Sequence, residues 1–219
     1  METLQQTNEP LRWRISTSTP SRHSKGLTKQ LPSGGSGLSD WTLDPAQPGD
    51  FAANQVFQFT LKATGPNAAR QNASHAHEAI LDPTGQFVVV PDLGADLVRI
   101  FSIDDETLKL TAETPLQVKA GDGPRHAVFY NPYSVVGAGS ETYMFLVTEL
   151  ANTIYSYRVT YPKKGGLKFQ QVYQVGTYGN LAVPVGNAAA EIAITVSLNH
   201  HLTRLQSSRK KIAVLWSIC

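Results

Sequence analysis

"HAHEAILDPTGQFVVVPDLGADLVRIF", residues 75–101, holds two apolar runs flanking "DPTG" and a third after "DLGAD". Short β-branched and aromatic runs separated by Asp, Pro and Gly predict strand, turn, strand, loop, strand. The polar residues of the stretch therefore take positions set by a sheet. His75 and His77, two apart, are expected on one face, with Ala76 and Glu78 on the other.

The same texture extends outward from Gln55 to Ile194. "QVFQFTL", "EAIL", "QFVVV", "LVRIF", "LKLTA", "HAVFY", "YMFLV", "TIYSYRV" and "LKFQQVYQV" are the strand candidates, and helical spacing is scarce, which defines an all-β chain. The opening stretch also aligns with "RHAVFYNPYSVVGAGSETYMFLVTELANTIYSY", given one insertion in the second copy. His77 then matches Arg125, 48 residues later, and Asp92 matches Glu149. A repeat of roughly 40–50 residues, built from four strands, is the period of a β-propeller blade. A third copy opens at "AAEIAITV", where Glu191 aligns with Glu78 and His126.

The flanks read differently. Residues 1–50, rich in Ser, Thr, Pro and Gly, are expected to be a disordered or poorly packed extension with a faint transit-peptide composition. Residues 51–194 are the partial propeller. Residues 195–219 carry Arg204, Arg209, Lys210 and Lys211 and no acid, and lack a turn signal. This tail is expected to be truncated or out-of-register coding sequence, with a basic interaction helix as the alternative. Seven blades need roughly 300 residues at this period, so the chain holds about three.

Bulk composition excludes several partners. The net charge of +2 gives no footprint for nucleic acid or an anionic membrane, and no apolar run reaches the length of a membrane span. The single cysteine, Cys219, rules out an internal disulfide and fits a reducing, cytoplasmic setting. In that setting the Asn72-Ala-Ser74 glycosylation pattern is expected to go unused.

Three positions carry candidate chemistry. The spacing of His75 and His77 permits chelation, but a metal wants three or more converging ligands and no further cluster at ligand spacing exists, so no metal is expected. Arg125 and His126 follow the Gly-Asp-Gly-Pro loop and start an innermost strand, which opens on a propeller's central funnel. A guanidinium there offers a planar fork to a carboxylate or phosphate, or forms an inter-blade salt bridge with Glu149 or Asp92. Glu149 ends the buried run "YMFLVTEL"; pairing with Arg125 would keep it ionised, whereas burial alone would raise its pKa. Asp82, Asp92 and Asp96 sit in turn chemistry and are expected to cap it.

"HAHEAILDPTGQFVVVPDLGADLVRIF", "GDGPRHAVFYNP", "FLVTELANTIYSY" and "GNAAAEI", in this order, resemble the lactonase-type seven-bladed propellers, which include 6-phosphogluconolactonases and fungal carboxy-cis,cis-muconate cyclases. The resemblance covers residues 55 to about 194, and "GPNAARQNASHAHEAILDPTG" looks closer to the cyclase-like branch. It implies catalytic roles for His77, Arg125 and Glu149, with His75, His126 and Glu191 contacting substrate. An arginine that the family draws from the blade beginning at "AAEI" has no counterpart here.

The implied activity is lactone-ring closing or opening on a small-molecule carboxylate or lactone, without a cofactor. Arg125 would bind a carboxylate or stabilise enolate-like charge, while His77 or Glu149 moves the proton. Loss of activity is expected if too few blades close the funnel. The competing expectation is a non-catalytic propeller fragment serving as a binding scaffold. Exposed blade edges would favour self-association.

Overall fold

The computed structural model describes residues 36–44, 47–131, 141–163, 165–196 and 212–218, and every regular element among them is a strand. β1 (Ser36–Asp44) and β2 (Gln47–Phe59) form an antiparallel hairpin. β3 (Ile80–Leu81), β4 (Phe87–Asp92), β5 (Leu97–Ile103) and β6 (Leu110–Ala112) form a four-stranded meander, with β7 (Leu116–Gln117) also pairing with β5. β8 (Pro124–Tyr130), β9 (Thr142–Thr148), β10 (Thr153–Thr160) and β11 (Lys168–Gly176) repeat it. β12 (Ala189–Val196) and β13 (Ile212–Ile218) form a final antiparallel pair. Two full blades thus lie between two half-sized sheets, which together make the expected three or so.

The apolar runs explain the stacking. Along β4, Val88 and Val90 pack with Leu38, Phe59 and Phe101 on the β1–β2 side, while Val89 faces Ala127, Met144, Leu146 and Tyr155 of the second blade. All three valines are buried. A strand covered on both faces needs a continuous hydrophobic run, and each buried Val contributes about 1.5–3 kcal/mol. Along β9 the alternation serves the next gap: Met144 and Leu146 face the first blade, whereas Val147 packs with Ile154, Ala189 and Ile192 toward β12.

Polar groups close the joints between these layers. Gln55 uses its side-chain amide as a strand would, donating from Nε2 to the Leu110 carbonyl at 3.1 Å and accepting the Leu110 N–H at 2.7 Å. The "DPTG" turn forms as expected: the Asp82 carboxylate accepts the N–H groups of Thr84 (2.9 Å) and Phe87 (2.8 Å), and Gly85 sits at φ +73°. Gly94 is required for a different reason, since a Cβ there would lie 1.7 Å from the Ala73 carbonyl oxygen.

Both flanks differ from expectation. The extension read through residue 50 contains β1 and the start of β2, because "SGLSDWTLD" pairs antiparallel with the longer strand through two register shifts and buries Leu38 in the cluster with Val88, Val90 and Phe101; residues 1–35 lie outside the described residues. The third copy runs on through Val196, and "IAVLWSI" of the tail supplies its second strand, with Ile194 opposite Val214. A β-branched apolar run satisfies its backbone on a strand edge, so this part of the tail is sheet rather than a basic helix. The four basic residues Arg204, Arg209, Lys210 and Lys211 lie outside the described residues. On β11, the outer strand of the second blade, Val172, Tyr173 and Val175 are exposed.

Candidate active site

The inner strands of the three repeats share an irregularity at one position. Ala76 opposes Asp92 and Ile80 opposes Val89, so residues 77–79 face only residues 90–91. In β8 Pro124 opposes Thr148 and His126 opposes Val147, leaving Arg125 extra. In β12 Ala189 opposes Ile218 and Glu191 opposes Ser217, leaving Ala190 extra. A bulge adds one residue, increases the local twist and re-aims side chains. The sequence alignment of His77 with Arg125 thus has a backbone counterpart.

The bulge overturns the simple alternation expected for residues 75–78. His77 lies edge-on to His126, with ring centroids 6.2 Å apart, and its neighbour Glu78 also reaches the second blade, accepting the Ala127 N–H at 3.1 Å. His75, expected on the same face as His77, turns away. Its Nε2 lies 3.4 Å from Asn72 Oδ1, and its backbone N–H donates to Asp92 Oδ1 at 2.8 Å.

Arg125 is held through two of its three nitrogens. Its Nε donates to Glu149 Oε2 at 2.8 Å, its Nη1 donates to the Ala190 carbonyl of the next repeat, and Nη2 has no protein partner among the described residues. The other Glu149 oxygen receives Arg70 from the loop that follows β2. Glu149 is 4% exposed, so two guanidinium groups compensate one buried carboxylate. Of the two partners considered for Arg125, Glu149 is the one found. Asp92, its repeat counterpart, binds Arg99 within its own blade at 2.9 and 2.8 Å.

The approach to Arg125 is fixed by Asp96. Its carboxylate accepts the N–H groups of Gly121 (2.7 Å) and Gly123 (2.9 Å), both at positive φ. On the far side, His126 Nδ1 lies 2.8 Å from Glu191 Oε2, which joins the second and third repeats. His77, Arg125, His126, Glu149 and Glu191 are thus linked through contacts that His75 does not join. Among the described residues no three His, Cys, Asp or Glu side chains converge as a metal-holding group.

Two members of the cluster escaped the sequence reading. Burial, together with the like charge of Glu191, pushes the Glu78 carboxyl up to about 7, against the opposing pull of the Ala127 N–H and Arg125. Its repeat position, shared with His126 and Glu191, was the available signal. Arg70 had none, since its partner lies 79 residues away.

The family described as "Lactonase, 7-bladed beta-propeller" matches residues 42–208, and the chain belongs to it. A protein of Arthroderma benhamiae called "Probable 6-phosphogluconolactonase" is 34% identical over 144 residues, which is 66% of this chain and 34% of that protein. The 6-phosphogluconolactonase of Sodalis glossinidius is 36% identical over 91 residues, 41% of this chain and 25% of its own. The fold matches a putative 6-phosphogluconolactonase of Bacteroides uniformis (TM-score 0.60, 22% identity, 92% of this chain and 54% of that one). It also matches a periplasmic gluconolactonase of Pseudomonas aeruginosa (TM-score 0.57, 20% identity, 89% and 46%). The chain spans about a third or less of the length of these curated relatives and about half of these solved structures.

Proposed function

We propose that this protein opens the ring of a sugar-derived lactone by hydrolysis, in the manner of a 6-phosphogluconolactonase, at the cluster around Arg125. The observation that carries this is the state of that guanidinium: oriented by Glu149 and the Ala190 carbonyl, with Nη2 unpartnered among the described residues. Water attack converts a lactone carbonyl into a tetrahedral oxyanion, and a fixed donor that needs no reorganisation lowers that barrier most. The half-exposed Arg70 adds positive charge on the same carboxylate, suited to an anionic group on the substrate. His77 and His126 flank the Arg125 side and would contact the ring hydroxyls. The names of the relatives support lactone opening over closing.

The test is hydrolysis of 6-phosphoglucono-δ-lactone and glucono-δ-lactone, followed by proton release above the spontaneous rate. Arg125→Ala is expected to lower kcat/KM by about 100-fold or more, the usual consequence of removing one oxyanion donor. Turnover unchanged by this substitution would refute the role of Arg125. Turnover of 3-carboxy-cis,cis-muconate in place of either lactone would reassign the protein to ring closure.

A further inference from the structure

We propose that Glu78 is the proton-carrying residue of this site, taking a proton from the water that attacks the lactone carbonyl and returning it to the departing ring oxygen. The role rests on the lactonase reading above. In the first step the water oxygen bonds to the carbonyl carbon while its proton passes to the Glu78 carboxylate. In the second the ring carbon–oxygen bond breaks and the same proton passes to the alkoxide, so carboxylate and charge are restored without any co-reactant.

The geometry selects Glu78 from the cluster by what each neighbour already does. Both oxygens of Glu149 already accept from guanidinium groups, so each is engaged in holding Arg70 or Arg125. His126 is engaged with Glu191, whose other oxygen accepts the Ile192 N–H at 2.9 Å. Glu78 has one oxygen fixed by the Ala127 N–H, while Oε1 has no partner among the described residues. The first inner-strand bulge turns the residue toward the second blade, so it stands on the Arg125 side of the sheet. A carboxylate anchored by one oxygen and open at the other is oriented for transfer at the open one.

The charges around it tune it. Desolvation, the largest effect, acts with Glu191 of β12 against the ionised form, and the two outweigh the Ala127 N–H and Arg125 of β8, which favour it, so the carboxyl is poised near neutral pH. His126 from β8 and His77 beside it are the other titratable groups facing this side of the cluster. A group that titrates near the working pH exchanges a proton in both directions with least penalty.

The experiment compares the pH dependence of kcat/KM for glucono-δ-lactone in the wild type, Glu78→Gln and Glu78→Asp. The wild type is expected to show an acidic limb centred near pH 7; Glu78→Gln is expected to lose about 100-fold or more and the limb with it. Glu78→Asp is expected to recover at least tenfold over Gln and to keep a limb. If Glu78→Gln retains the limb, or turnover within threefold of wild type, this role is overturned while the lactonase reading stands. No turnover by the wild type overturns both. Should Glu78→Gln not fold, carbon-13 titration of the glutamate carboxyls in the wild type decides: one midpoint near 7 that moves on adding gluconate supports the role, and none overturns it.

Discussion

Replacing Glu149 by Gln removes the charge that two arginines share and leaves the shape of the side chain unchanged. The consequence is set by unequal burial: Glu149 is 4% exposed, Arg125 19% and Arg70 48%. A hydrogen bond to a charged, largely buried partner is worth about 1.5–3 kcal/mol, whereas one to a half-exposed arginine contributes at most about 1 kcal/mol. Glu149→Gln should therefore lower stability by about 2–3 kcal/mol, nearly all of it through Arg125. Urea unfolding at pH 7 measures this directly. For a chain of this length the melting temperature should fall by about 4–12 °C. A double-mutant cycle with Arg70→Ala should give a coupling below about 1 kcal/mol that shrinks further in salt. A loss under about 0.5 kcal/mol, or one that vanishes once Arg70 is gone, would refute the assignment of Arg125 as the principal partner.

Two further outcomes follow from the same geometry. Asp96→Ala leaves the N–H groups of Gly121 and Gly123 without their acceptor in the loop that leads to Arg125, and should cost about 2–4 kcal/mol in urea unfolding together with a fall in lactone turnover. The Glu78 carboxyl, raised from 4.5 to about 7 on folding, binds more protons in the native than in the unfolded state between those values. Its contribution to stability is therefore full below about pH 4.5 and is lost as pH rises through 7. The difference bounds the effect at about 3 kcal/mol, and partial exposure lowers it to roughly 1–2 kcal/mol. Unfolding free energies measured from pH 5 to 8 should fall less steeply in Glu78→Gln, and an unchanged slope would contradict the shift.

Much of this architecture is legible residue by residue. Runs such as "FVVVP" and "YMFLV" are apolar on both alternating faces, and only a strand covered on both sides can use that pattern, so the blades and their order could be inferred without coordinates. Turn residues acted locally too: Asp82 caps its own loop within five positions, as its neighbours predict. The Gly-Asp-Gly loop ahead of Arg125 was equally readable, but its cap was not, because Asp96 reaches it from the preceding blade. β1 and β13 were missed where strand pairing, rather than local composition, supplies the order.

The sequence by itself determined the all-β class, the blade repeat and the equivalence of His77 with Arg125, since these depend on periodicity and turn chemistry between near neighbours. Only the tertiary structure decided which of these residues meet. One extra residue per inner strand displaces the alternation and brings Glu78 to the backbone of Ala127. Pairing across 79 residues placed Arg70 on Glu149, and it is the folded chain that pairs Arg125 with Glu149 and Asp92 with Arg99. Bulges and long-range ion pairs depend on how neighbouring sheets are stacked, which the local pattern of a single strand does not encode.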